Sequence, residues 1–318
     1  MALSFLWNCS KNTTSPKNDL GQVESYTTGN VKTEGTQYFT FASKKAVTRK
    51  PDEYDLAFDL EEREAEVGAP GSCEYFAIST DPVVKLGPGV TGVRLDASSL
   101  DDVTEIPQAN QFVADDTLAE AVIGKSWFDA QNGYSVRPDV YVLKRCDGSY
   151  ALVQFKHYDF DMTKMQISNI YFDFKLNGTG STDFSQTALD SGQTGNGYEK
   201  TQYFSLKDGQ LSMGYGTWDL KTIGSAIWLG PNVTMHKLEN TDIDSVTTVS
   251  ATDFTGDHLQ KYLTMGWYDS DENHKVIPRD YAYIVKTKQG KIVAFALTNY
   301  YDDQGNSGAF TIQWKYLQ

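Results

Sequence analysis

Histidine and cysteine are scarce: four and three residues respectively in a chain of 318. Cys9, Cys73 and Cys146 show no CxxC spacing, which removes zinc and thioredoxin-type sites. A nucleophile needs a base beside it, usually histidine. Four scattered histidines and no GxSxG elbow leave that chemistry without a sequence basis. Basic side chains are outnumbered, 28 against 42 acidic, and the net charge of -14 repels the phosphate backbones that Lys and Arg would have to neutralise. Nucleic acid is therefore excluded as an expected partner. No apolar run approaches the roughly 20 residues of a membrane-spanning helix, and no Gly-rich phosphate loop is present.

The acidic clusters do not restore an enzyme. The stretch DSDEN at 269–273 lacks the glycine and closing glutamate of a calcium loop at their proper offsets. DLEEREAE at 59–66 reads as a solvated strand edge, a common guard against edge-to-edge pairing. The expectation is a protein that is not an enzyme.

What is abundant is aromatic: 19 Tyr and 16 Phe, with Gly dispersed among short apolar runs, a composition that favours strands and turns. The chain is also internally repetitive, and a repeat has to be found before local structure is argued. TQYF at 36–39 returns at 201–204, and Tyr54-Asp55-Leu56 is answered by Trp218-Asp219-Leu220. DDVTEI (101–106) matches DSVTTV (244–249), each followed by a Phe and then an Asp: Phe112 and Asp115, Phe254 and Asp257. Trp127 to Pro138 has the same spacing as Trp267 to Pro278, and IYFDF (170–174) answers IQWKY (312–316). The reading is two tandem units, since single cores stop growing near about 250–300 residues.

Within each unit, YVLKRCDGSYALVQF and YAYIVKTKQGKIVAFAL read as β-hairpins with Gly-bearing tips. DDTLAEAVIG and GDHLQKYLTMG read as one short helix per unit. The fold class is all-β, mostly antiparallel sheet. The expected organisation is a leader and flexible tether at 1–32, a β domain at 33–176, a Gly/Ser/Thr-rich linker at 177–197, and a second β domain at 198–318. The conserved-register aromatics Tyr38, Phe39, Tyr203, Phe204, Tyr141, Tyr283, Phe172 and Trp314 are expected to be core.

Near the start, MALSFLWNCSKNTTSPKND places Cys9 after a short apolar run and before a polar tether, and so resembles the lipidation site of a bacterial lipoprotein. Export would permit a Cys73–Cys146 disulfide; two free buried thiols are the alternative. The ordered set formed by QYF…WDL, the VT.V run, the Trp-bearing loop, the Gly-tipped hairpin, VQF..Y and the last aromatic strand resembles the HmuY-like haem-binding lipoproteins, and it occurs twice, over about 33–176 and 198–318. That resemblance implies two tandem HmuY-like β domains in an outer-membrane, cell-surface protein of iron acquisition. Such a protein is membrane-associated only by a lipid anchor on Cys9, and it captures haem or another small hydrophobic ligand for an outer-membrane receptor or host protein.

Haem iron takes axial His, Met, Cys or Tyr side chains. The resemblance places histidines on both sides of a Trp segment, which gives His258 and His274 as the candidate metal ligands about Trp267, with Met265 as a candidate sulfur ligand. His236 reads as a surface-loop residue and His157 as a solvent-facing strand end. A surface interaction or adhesion lipoprotein with the same fold and no haem site is the rival reading.

Overall fold

A computed structural model describes residues 20–66, 73–97, 99–213 and 215–318; Cys9, the proposed lipidation site, lies outside them. The described chain is nearly all antiparallel β, as its aromatic and β-branched runs require. The one α-helix among the described residues is the four-residue turn Val31–Glu34.

The compact units do not follow the boundaries 33–176 and 198–318. Of the described residues, the first gathers 20–59, those of 82–115, and 262–318; the second gathers those of 60–81 and of 116–261. The opening strands of the first repeat, Gln37–Thr40 and Lys45–Val47, thus share a unit with the closing strands of the second, Tyr281–Lys286, Ile292–Tyr301 and Ser307–Tyr316. Conversely, Gln202–Ser205 and Leu220–Ile223 share a unit with Val140–Lys144, Tyr150–Asp161 and Gln166–Leu176.

The physical reason lies in the two segments read as helices. Residues 116–120 and 258–261 are not helical and are joined by two antiparallel bridges. Asp116 and Lys261 exchange both backbone hydrogen bonds at 2.9 and 2.8 Å, and Glu120 and His258 exchange both at 2.9 Å. Backbone groups that an α-helix would satisfy internally are satisfied across this pair instead, so tertiary pairing overrides the helix propensity of Ala, Leu and Glu. In place of the expected short helix per unit, the two segments are joined by isolated antiparallel bridges.

In the first unit a five-stranded sheet runs in the order Glu24–Asn30, Ser307–Tyr316, Ile292–Tyr301, Tyr281–Lys286, Thr91–Asp96. In the second the order is Asp190–Gln193, Gln166–Leu176, Tyr150–Asp161, Val140–Lys144, Thr234–Leu238. Position for position these match. Glu24–Asn30 therefore belongs to a sheet edge and not to a tether, and Asp190–Gln193 does the same in the stretch read as a linker, where Phe184 and Thr194 are also buried. The match corrects one sequence register. Phe295 pairs with Trp314 where Val153 pairs with Phe174, so Trp314 corresponds to Phe174, and Phe172 to Ile312. Thr28 Oγ1 accepts Phe310 N at 3.0 Å and Thr194 Oγ1 accepts Ile170 N at 3.2 Å, which fixes the same offset. A two-residue slip keeps every side chain on its face, so both readings bury aromatics.

Each sheet packs one face against the strands of its own unit's TQYF region. Phe39, Phe41, Phe295 and Trp314 meet in the first unit, with ring centroids 5.3–6.4 Å apart. Trp127, Phe155, Phe172, Phe174 and Phe204 do so in the second. Burying each such ring contributes about 1.5–3 kcal/mol. Tyr141 and Tyr283 are buried as well, and desolvation pushes the Tyr141 hydroxyl up to about 12. A disulfide joins Cys73 to Cys146 within the second unit.

Candidate ligand-binding groove

The four sequence-predicted site residues divide between the two units, and none of them lines the groove described below. His258 lies in the second unit, half-exposed, with Nε2 2.6 Å from Asp116 Oδ2. His274 lies in the first unit, in an exposed turn with φ 58°, its N–H donating to Asp271 O. Trp267 is buried, and its Nε1 donates to Pro82 O at 2.9 Å, just as Trp127 Nε1 donates to Ser225 O at 3.0 Å. Trp267 is thereby tied to the strand Tyr75–Leu86, and Trp127 to the turn between Leu220–Ile223 and Ala226–Leu229. Met265 is exposed at the end of a turn. Among the described residues no group of three or more His, Cys, Asp or Glu side chains could hold a metal. Of the two candidate histidines each unit holds one. His236 Nδ1 sits 3.0 Å from Asp253.

The second unit carries a groove that sequence reasoning missed. It measures about 580 Å³, inside the usual range for small-molecule sites of about 300–1,000 Å³. One wall is the edge strand Asp190–Gln193, giving Ser191, Gly192 and Gln193; the other is the turn and strand after Gln202–Ser205, giving Gly209, Gln210 and Leu211. Phe204 forms the floor and Tyr171 the rim.

Two glycines open it, and the first unit shows what they replace. Strand registers make Gly192 the counterpart of Tyr26, since Gly192 pairs with Phe172 where Tyr26 pairs with Ile312. Gly209 is the counterpart of Lys44: Gly209 N donates to Ser205 O and Lys44 N to Thr40 O, with φ 65° and 56°. In the first unit the Tyr26 ring packs on Phe39, centroids 5.6 Å apart. Lys44 lies over Trp314 and pairs with Glu24 at 2.5 Å. Those two side chains cover the place that lies open in the second unit. A Cβ on Gly192 would come within 2.6 Å of Phe204 and 2.7 Å of Phe172, so the rings rise into the space that a side chain would take. A Cβ on Gly209 would meet nothing within 4 Å.

The lining is uncharged. Ser191 donates to Asp173 at 2.7 Å, while the Gln193 and Gln210 carboxamides are engaged by no other described side chain or backbone group. Tyr171 donates its hydroxyl to Asp159 at 2.9 Å, and that bond holds the phenol above its ordinary value. His157 stacks on the Tyr171 ring at 4.2 Å and 9°. The site therefore offers an aromatic floor, an apolar wall at Leu211 and two free amides, an arrangement that holds a ligand by its face and hydrogen-bonds its edge. The Lys44–Gly209 correspondence was legible from the TQYF alignment; Gly192 was hidden because its surroundings have linker composition.

No family model matches the chain, and no curated protein does. Among solved structures, it is similar to a candidate HmuY-like heme-binding protein of Bacteroides vulgatus, at 10% identity over 93% of this chain and 92% of that one, TM-score 0.34. A candidate lipoprotein of Bacteroides fragilis is 12% identical over 93% and 90%, TM-score 0.32. The apo HmuY analog of Tannerella forsythia is 10% identical over 94% and 98%, TM-score 0.31.

Proposed function

We propose that this protein is an exported binding protein of the HmuY-like type that captures haem or a related hydrophobic ligand in the groove of its second unit. The observation that carries the reading is the groove itself: Gly192 and Gly209 stand where Tyr26 and Lys44 fill the first unit, which leaves Phe204 and Leu211 to receive a flat apolar face. Lipidation of Cys9, an outer-membrane location and delivery to a surface receptor belong to the same proposal and rest on the sequence resemblance. No helix among the described residues is long and apolar enough to cross a membrane.

The test is a haemin titration of the purified full chain, read by its visible spectrum. A saturable shift of the Soret band, weakened by Leu211→Asp, supports the reading. Leu211 is exposed, so the substitution removes the apolar wall without opening the core. A haemin spectrum indifferent to the protein removes the reading. Loss of the shift on His258→Ala or His274→Ala, with Leu211→Asp unaffected, transfers the site to those histidines.

A further inference from the structure

Resting on the proposed binding function and deepening it, we infer that the groove recognises its ligand by ring face and edge and not through a metal, so that a metal-free macrocycle is held as well as its iron complex. The argument is one of donor chemistry. Protein ligands to a haem iron are imidazole, thioether, thiolate or phenolate. The groove is lined by Tyr171, Ser191, Gln193, Phe204, Gln210 and Leu211 with two glycines, a set without His, Met or Cys. Its single phenol is committed as a donor to Asp159, and its plane is covered by His157. A phenol that keeps its proton in a hydrogen bond to a carboxylate is a poor anionic ligand.

What remains is face packing and amide chemistry. Phe204 is held at its position by Phe172, centroids 4.9 Å apart at 80°, and by Phe174 at 6.1 Å, so the floor is rigid before a ligand arrives. Preorganised aromatic surface costs little ordering on binding. The Gln193 and Gln210 amides can each donate and accept, which suits ring nitrogens and oxygen substituents without demanding charge. No cation lines the groove, so carboxylate arms of a ligand stay in water.

The experiment titrates the full chain separately with metal-free protoporphyrin IX, followed by its fluorescence, and with haemin, followed by its absorbance. The expected result is dissociation constants that agree within about threefold, both raised about tenfold or more by Leu211→Asp. Tyr171→Phe, which keeps the ring and removes only the hydroxyl, is expected to leave the position of the bound haemin's Soret band and the ratio of the two dissociation constants where they are in the wild type. Haemin bound about tenfold or more tightly than the metal-free ring, or a haemin spectrum altered by Tyr171→Phe, overturns the inference while leaving the proposed function standing. Binding of neither compound overturns both. The fold of each variant is checked by near-ultraviolet circular dichroism, and Gly209→Glu, where a Cβ meets nothing within 4 Å and the positive φ of 65° is one that the matching Lys44 also adopts, serves as the second blocking variant.

Discussion

The carboxylate of Asp257 accepts the backbone N–H of Val122 at 2.8 Å, across 135 residues of sequence. Its other oxygen accepts Leu229 N at 2.7 Å. Asp115 repeats the arrangement in the first unit, taking Leu263 N at 2.8 Å and Leu86 N at 2.6 Å. In each unit one aspartate thus ties the end of a core strand to the segment arriving from the other repeat. Replacing either by Ala leaves two partly buried donors unpaired and is expected to cost about 2–4 kcal/mol, measured by urea unfolding. Equal effects at Asp115 and Asp257 are the outcome to look for; an effect at neither would show the clamp to be incidental.

The same carboxylates set a pH dependence. Burial raises Asp55, Asp115, Asp219 and Asp257 above the ordinary carboxylate value, against the lowering effect of their hydrogen bonds. Each therefore binds its proton more tightly folded than unfolded. Their contribution to stability is fully present below the unfolded value, near about pH 4, and is lost as pH rises through the folded one. Urea unfolding of wild type and Asp115→Asn across mildly acidic to neutral pH is expected to show a shallower decline in the variant. A steeper decline in the variant would contradict the assigned direction.

The Cys73–Cys146 bridge closes a loop of 73 residues within the second unit. Chain-entropy arithmetic puts its contribution at about 4 kcal/mol as an upper figure. Reduction under native conditions is expected to raise hydrogen exchange in residues 73–81 and 140–150 while the strands Tyr281–Lys286 and Ile292–Tyr301 keep their protection. Uniform loss of protection would mean that the two units unfold as one.

How much of this was legible beforehand depends on the range of the interaction. The hairpins at Val140–Asp161 and Tyr281–Tyr301 and the TQYF strands are local patterns, and period-two aromatics reported them directly. The exchange of halves is not local: nothing in DDTLAEAVIG says that its amides will be spent on residues 258–261. Matching residues were visible in the sequence, yet matching residues do not state which segments pack together. The groove was hidden for a related reason. A site made by two missing side chains is seen only when the counterpart unit shows what filled it.

Gly87 and Gly230 offer a sharper test of the matched turns. Gly87 N donates to Asp55 O at 2.8 Å and Gly230 N to Asp219 O at 2.7 Å. A Cβ would lie within 1.8 Å of the Tyr54 carbonyl oxygen in the first case and 2.4 Å of the Trp218 carbonyl oxygen in the second. Backbone cannot yield as a side-chain end does, so Gly87→Ala and Gly230→Ala are each expected to cost about 2–4 kcal/mol in thermal unfolding. Gly35→Ala is a useful contrast, because its cost comes from φ 76° alone and no atom crowds the site.

The two units part company at one buried charge. Asp219 is fully buried, and Arg145 Nε meets it at 2.6 Å while Leu206 N donates at 2.9 Å. Asp55 takes the same backbone bond, from Phe41 N at 2.9 Å, but the position matching Arg145 is Thr287, as the N–H bonds of Arg145 to Ser149 O and of Thr287 to Lys291 O show. Removing one member of a buried pair strands the other, so Arg145→Thr is expected to cost about 3–5 kcal/mol. Adding Asp219→Asn should recover most of that loss, because the neutral side chain no longer needs a cation. The double variant would then resemble the first unit, which folds around its aspartate without a guanidinium. Hydrogen exchange resolved by unit is the measurement: Arg145→Thr should open Leu220–Ile223 and Val140–Lys144 and leave Gln37–Thr40 protected. A double variant no more stable than Arg145→Thr would show that Arg145 acts through its packing and its bonds to Asp147 and Ser149, and not through the carboxylate of Asp219.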